Sequence, residues 1–596
     1  MPRWFTPAYS KKTQASKLGD AQGIPFFIDN IIRFHIGAGI PGVAPHYIPP
    51  PSTFNVLLGS SWPLIKARDG PSFCSEYRAP HQLAFWAPLV SNWTKFSQPN
   101  WLAHPLPLDE RRKEHEASPA AMSPPSLCAA ACSTPLRAAP PPLLRFRRPA
   151  SSSVSVSASR AAAPSVSDDL VLRIAEQLED SAAAAPLLGS LRAASALSLL
   201  STPWPTRRSN EAFRFTDISY LRSLPISLPA HTPGLAPPPS PDAESHILFS
   251  DGLLVSASGA HVAALADMPP GVARDRAAAA VAASAQFSHR DIFYDFNAVG
   301  ASDVAVVYVP EGRKMGDDPV HIVFGYSGSE DGASMMMSNP RVLVIAEKGA
   351  EVAIVEEHFG TGEGCYWANP VVDIIVEEGA RVVHSYVQRQ SSAAAHTKWT
   401  TVQQNTSSTY EFVEVSTGGR LNRHNLHIQQ LGPETVTELS TFHLTSQNKQ
   451  IHDLHSRLIL DHPRGYSRQL HKLIACGSGN GIFDGNIQVN RYAQQTDAGQ
   501  QTKCLLLSPK AVVNVKPNLQ IIADDVKCTH GAAISGDLDP NELFYFQARG
   551  VDVKTATDAL LFSFGAQVIN RIPFKPVEQK ALAQLKELLT LSRQSN

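Results

Sequence analysis

Apolar positions change their spacing along this chain, and each change predicts a different kind of element. From 168 to about 202 they recur at helical spacing through Leu170, Leu172, Ile174 and Leu178, followed by an Ala- and Leu-rich run to Leu200. A Pro-rich linker at 235–245 interrupts this zone, and the Ala-rich run from Val272 to Ala285 predicts another helix. From about Val304 to Ser535 the pattern becomes short β-branched runs punctuated by turns. Within it, the stretch from Val342 to Val352 is echoed from Val372 to Val382, placing Gly349 and Gly379 thirty positions apart. Strands that recur every few tens of residues with no helix between them predict a solenoid of stacked parallel layers, a β-helix. The same spacing also permits a β-sandwich.

Beyond Ser535 the helical period returns. Leu543, Phe544 and Phe546 precede a helix stop at Arg549-Gly550, and Asp552 stands where it would cap a helix reaching about Ile569. Pro576 opens a last amphipathic segment, with Val577, Ala581, Leu585, Leu588 and Leu589 inward and Lys580, Gln584 and Lys586 outward. The fold class expected is therefore mainly β. A β-helix core over 304–535 follows an N-terminal helical domain and linker (168–245) and a transition region (246–303), and precedes a C-terminal helical domain (536–596).

The segment before 168 reads differently. Residues 1–121 show no sustained period, carry Pro-rich patches such as Ile48-Pro49-Pro50-Pro51, and hold five of the eight tryptophans. From Met122 to Ser167 there is no Asp or Glu, while Ser, Ala and Pro dominate and Arg137, Arg145, Arg147, Arg148 and Arg160 supply the charge. That is the composition of an organelle transit peptide, leaning toward a plastid, and such a peptide works only at a true N-terminus. We therefore expect translation to begin at Met122 and residues 1–121 to be an over-extended gene model; a genuine disordered extension is the alternative. The mature chain then starts near Asp168.

Composition narrows the function classes. A formal charge of −1 over 596 residues supplies no basic field for nucleic acid or an anionic membrane. No run of eighteen apolar residues predicts a membrane span. The seven cysteines are odd in number and scattered, which suits a reducing compartment better than a disulfide framework.

Candidate chemistry concentrates at Cys528-Thr529-His530. On a strand, residues i and i+2 share a face, so a thiol and an imidazole stand side by side, a ligand pair suited to iron or zinc. Two ligands do not close a four-coordinate site, so a second chain, or a cluster built transiently between chains, would have to supply the rest. The bland alternative is a small buried cysteine beside an inert histidine. Other groups read as structural. His424, His427, His443, His452, His455, His462 and His471 are expected to be solvated or hydrogen-bonded strand residues, and His452 and His455 point to opposite faces. Glu356-Glu357, Glu377-Glu378 and Asp524-Asp525 are adjacent and so make poor acid/base dyads on strands. Cys476 and Cys504 read as core, and Cys365, in a Gly-rich loop, as the surface thiol. The Gly-rich runs at 360–364 and 477–481 lack the Lys-Ser/Thr of a phosphate cradle, so no ATP hydrolysis is expected from this chain.

The run from Leu506 to Gly550, LLSPKAVVNVKPNLQIIADDVKCTHGAAISGDLDPNELFYFQARG, closely resembles the core signature of the SufB/SufD family of iron-sulfur cluster assembly scaffolds, the SufD branch in particular. Trp204-Pro205-Thr206-Arg207 through Phe213-Arg214-Phe215-Thr216 is similar to the N-terminal signature of that branch, with Phe213 where the family usually has Trp. The resemblance implies a right-handed parallel β-helix and pairing with a SufB-like paralogue through the β-helix cores. It also implies a SufC-like ABC ATPase docked on the C-terminal helices through Leu543, Phe544, Tyr545, Phe546, Arg549 and Gly550. A transient iron-sulfur cluster or iron would form at the subunit interface with His530, and secondarily Cys528, as ligands, for delivery to apoprotein acceptors in the plastid stroma; flavin in the complex is left open. A SufB-like role is the nearest alternative, and a carbohydrate-active β-helix enzyme a more distant one.

Overall fold

The thirty-residue echo is one turn of a solenoid: Val372 lies beside Val342, and Ile374 beside Val344, in a parallel ladder. The computed structural model describes residues 168–181, 185–229, 244–316, 318–329 and 332–594. Strands from Ala305–Val309 to Val526–Ser535 alternate between two sheets, each new strand adding in parallel to the one a turn earlier, for about seven turns. Parallel pairing of strands one turn apart decides against the sandwich, which would join neighbours antiparallel.

One corner of the coil shows how the stack is held. Gly349, Gly379, Ser407, Glu434, Arg464 and Gln495 occupy successive turns, all with left-handed backbone, φ between 55° and 66°. In each, the corner N–H donates to a carbonyl of the following turn: Gly349 to Glu378, Gly379 to Thr406, Ser407 to Pro433, Glu434 to Pro463, Arg464 to Gln494 and Gln495 to Asp525. Glycine enters this conformation without penalty, whereas the four later residues carry the Cβ cost. The sequence repeat fades after Gly379 because this corner keeps its conformation but not its residue.

The stretch expected as a transition region holds His246–Ser250, Leu253–Ser258 and Val262–Ala264, strands of three to six residues. They close the start of the solenoid: Val262–Ala264 pairs antiparallel with Ala305–Val309, and His246–Ser250 pairs with Val320–Tyr326 on one side and antiparallel with Leu253–Ser258 on the other.

Helices cover the outer faces. Asp169–Ser181, Gly189–Leu199, Val272–Ser284 and Ile292–Gly300 lie toward the N-terminus. The first buries Val171, Ile174, Ala175 and Leu178 in a cluster with Trp204, Phe213, Phe293 and Trp367. Phe213, the family's Trp position, is 1% exposed and lies under the Arg423 guanidinium at 4.0 Å, so the aromatic anchor survives the change. At the other terminus Val553–Ile569, capped by Asp552 accepting from the Thr555 amide, and Lys575–Gln594 pack on the outer face of the second sheet. Leu560, Val568, Val577, Ala581, Leu585 and Leu589 meet Val387, Val413, Val415, Phe442 and Leu444 there.

Four expectations need correction. Cys365 is not a surface thiol: it is 7% exposed and sits in the N-terminal cluster, its Sγ 3.4 Å from the Tyr220 hydroxyl. Of the solvated or hydrogen-bonded roles expected for the strand histidines only the second holds: His424, His427, His443, His452 and His471 are buried, with His424 and His443 bonded to Glu414 and His471 to Thr441. Their strands enclose a lumen, so the alternation places half of their side chains inside it. Glu377 and Glu378 are not on a strand but in the turn after Val371–Val376, pairing with Arg276 and Lys348. Leu172 gives its place on the buried helix face to Val171. Cys476 and Cys504 are core, as expected, and His452 and His455 do face opposite ways, His455 joining Asp453 at 3.0 Å on the outer side. The Gly-rich runs span turns between strands, with Gly360, Asn480 and Gly481 already in the flanking strands. Residues 1–167, with the predicted leader, and most of the 235–245 linker lie outside the described residues.

Candidate functional site

The solenoid ends in two unfinished edges. Val512–Ile521 pairs with Asn480–Val489, and Val526–Ser535 pairs with Thr496–Leu506; among the described residues neither has a partner on its other side. Val512 is 47% exposed, and Ile521, Ile522 and Ile534 are each about half-exposed around this rim. A long, open strand edge with apolar flanks is a template for another chain.

Cys528 and His530 stand on that last strand. Ladder pairing puts Cys528 beside Ala498 and His530 beside Gln500, both buried, so the two side chains continue inward-facing files where the lumen opens. Cys528 is half-buried against the main core with Val515, Leu519 and Val526, while His530 is exposed. No bulge interrupts the pairing from Val526 to Ser535, so the same-face expectation holds. Partial burial, with the Asp497 carboxylate adding to it, pushes the Cys528 thiol up from its ordinary value. In the isolated chain this thiol thus keeps its proton at neutral pH. Among the described residues no group of three or more His, Cys, Asp and Glu side chains is placed to hold a metal ion. Two side chains alone do not close a four-coordinate site.

The second predicted surface is the helix Pro540–Gln547, which follows the rim directly. Asp539 caps it by accepting from the Asn541 amide at 2.8 Å, and Gly550 (φ 80°) turns the chain after it. Phe544 is 68% exposed, whereas Leu543 and Phe546 are half-buried against the C-terminal cluster. Arg549 lies over the Tyr545 ring at 3.5 Å and donates to the Tyr545 carbonyl. The six docking candidates thus form one local unit. The next helix spends its apolar face on the solenoid, burying Ala556, Ala559, Leu560 and Leu561.

Sequence reasoning missed the interior. Glu356, wholly buried, accepts from Lys398 Nζ at 2.6 Å and His384 Nε2 at 2.7 Å, with His358 Nε2 at 3.2 Å. Burial opposes its charge, yet Lys398 and His384, with the hydrogen bond from His358, hold the carboxyl well below the usual range. Glu414 is likewise held low against burial, between His424 Nδ1 at 2.9 Å and His443 Nε2 at 2.8 Å. The signal was present as alternation: His384, Tyr386 and Gln388, like Thr441 and His443, fall at inward positions where an ordinary sheet core is apolar.

Comparison with known proteins agrees with this architecture. The family described as SUF system FeS cluster assembly, SufBD core domain, matches residues 327–564. Protein ABCI7, chloroplastic, of Arabidopsis thaliana is 47% identical over 472 residues, covering 75% of this chain and 96% of the relative. The SufBD family protein slr0076 of Synechocystis is 34% identical over 48% of this chain and 64% of its own length. Escherichia coli SufD is 28% identical over 66% of this chain and 90% of its own. With the solenoid matched across most of its length and a relative covered almost end to end, the chain belongs to the SufB/SufD family of iron-sulfur cluster assembly proteins.

Proposed function

We propose that this chain is the SufD-type, non-ATPase scaffold subunit of a SufBCD-type complex. In it, clusters form where its rim meets a SufB-like paralogue, driven by ATP hydrolysis in a SufC-like partner. The observation that carries the reading is the rim: an open strand edge with Cys528 and His530 on one side of it, forming an incomplete ligand set at the surface a partner would cover. His530 is the stronger ligand, because its imidazole stands exposed on the rim while Cys528 is half-buried with its thiol pKa pushed up, and the partner supplies thiolate. The cluster is cargo, passed to apoprotein acceptors. A helix whose exposed aromatic sits next to the rim suits an ATPase that pulls on the interface; docking there does work only if two nucleotide states grip it differently. A right-handed winding follows the general handedness of parallel crossovers, with the helices at each terminus flanking the coil. The acid-poor leader and the chloroplastic relative support residence in the plastid stroma.

The test is anaerobic affinity purification of the chain from plastid stroma with intact-complex mass spectrometry. One SufB-like chain and two ATPase chains are expected; recovery without an ATPase sinks the mechanism. His530→Ala then abolishes cluster delivery while the complex still assembles. Delivery that survives this change makes the chain a structural partner only.

A further inference from the structure

The scaffold reading makes no use of the lumen. On the inner face of the second sheet Glu356, Tyr386, Glu414, Thr441, His471 and Thr502 form one file, each the ladder partner of the next. None is more than 3% exposed. At about 4.8 Å per rung the file and the rim strand beyond it span roughly 29 Å. Thr502 lies one rung below Ala532 and two positions along its strand from Gln500, the partner of His530. An apolar filling would cost less, so a continuous polar file is a feature to be explained.

Its rim-side half is also incompletely bonded. His443 Nδ1, His471 Nε2, Gln469 Nε2, Gln500 Oε1 and Thr502 Oγ1 have no hydrogen-bond partner, and none of these side chains is more than 5% exposed. They occupy three adjacent rungs, and the His443 and His471 rings are 5.1 Å apart. Five orphans at about 1–3 kcal/mol each are a heavy cost unless water joins them. The opposite wall makes room: a Cβ on Gly485 would stand 2.2 Å from Gln500 Nε2. The half beyond Glu414 is more fully bonded, through Glu356, Lys398, His384 and Tyr410, although His396 Nδ1 is left without a partner there.

We propose that the lumen is a proton path that joins the rim to the Glu414 cluster. The path rests on the scaffold reading for its purpose, since a partner seated on the rim covers the open end of the lumen. A proton entering at the rim passes by way of Thr502, His471 and the water that joins them to His443, which is bonded to the Glu414 carboxylate; no electron is transferred. The groups facing His471 suit a relay. Thr441 Oγ1 is 2.7 Å from its Nδ1, Phe483 stacks on it at 4.4 Å, His443 and Glu414 lie on the same sheet, and His452 faces from the other.

The test needs neither iron nor partner, so its failure is separate from failure of the scaffold reading. In the full chain labelled with 15N-histidine, NMR measures exchange of the His443 and His471 imidazole N–H with bulk water. Exchange within seconds is expected, slowed at least about tenfold by Thr502→Leu, which plugs the rim end, and retained in Thr502→Ser, which keeps the hydroxyl. If the leucine does not fold, Thr502→Val removes the hydroxyl at constant volume and gives the same slowing. Imidazoles as protected as the core amides in the unmodified chain, or exchange unaffected by Leu or Val at 502, would overturn the proposal.

Discussion

Replacing Lys398 by methionine tests whether the lumen is held by charge. Lys398 and Glu356 are both 0% exposed and bonded at 2.6 Å, and Met preserves most of the stem's volume. Loss of the ammonium leaves a buried carboxylate with neutral donors. Breaking one side of a buried pair costs about 3–5 kcal/mol. A second route gives a similar figure: the cluster can restore its charge by protonating His358, which burial holds at about 4, and raising that to neutral pH costs about three units, or roughly 4 kcal/mol. The loss should therefore be about 4 kcal/mol at pH 7. It should depend on pH, because an unpaired Glu356 raises the folded pKa of His358. If that value passes the unfolded one, the added stability is complete below about pH 6.5 and is lost as pH climbs through the raised value. Urea titration followed by far-UV circular dichroism from pH 5.5 to 8 reads both effects. Lys398→Met combined with Glu356→Gln removes both charges and should recover at least half of the loss. A single variant that loses under about 1 kcal/mol, or a double variant as unstable as the single, would refute the reasoning.

Other outcomes follow from separate parts of the structure. Gly379→Ala forces a Cβ into left-handed backbone with nothing within 4 Å of it, so strain alone should cost about 1 kcal/mol net of the unfolded-state gain; thermal melting against Gly362→Ala, at open ordinary backbone, checks it. Lys472, buried under Phe564, is brought down to about 7, first by desolvation and then by Lys503 and Arg571. The unfolded chain binds that proton up to a higher pH, so stability should rise between about pH 7 and 10, by at most about 1.4 kcal/mol per unit, and Lys472→Met should flatten the slope in urea midpoints. Phe544→Ala removes an exposed ring and should leave the melting temperature within a degree or two while weakening ATPase capture about tenfold or more by surface plasmon resonance; unchanged capture would move the docking surface elsewhere.

Sequence reasoning reached those features that rest on local rules. Helix ends marked by Asp552 and Gly550 were legible because capping needs a particular side chain at a particular place. The solenoid was legible from one repeat, since Gly349 and Gly379 still carry the glycine their corner prefers; Ser407, Glu434, Arg464 and Gln495 hide the same corner from any residue-based reading. Cys528 and His530 were legible as a same-face pair, but their place on an unpaired edge depends on which strand comes last in the ladder. The lumen was illegible for a different reason. Alternation says that His384, Tyr386 and His443 share a face, yet which face is inside follows from how the coils close, and polar residues at alternate positions ordinarily mark solvent. Cys365 was misread by the same route: its glycine neighbours suggested a surface loop, and a segment 145 residues earlier, carrying Tyr220, covers it.

The two ends of the stack differ, and this limits what can be built from it. At its start the ladder runs into the antiparallel strands Val262–Ala264 and Leu253–Ser258, three and six residues long, which offer little edge to a newcomer. At its finish two ten-residue strands stand open. A coil with equivalent ends would polymerise, each copy templating the next as cross-β fibres do. With a single competent terminus, two solenoids that meet end to end consume each other's open edges, and growth stops at a pair. In an assembly built through this rim, strand topology would then set the stoichiometry, whatever chemistry the junction encloses.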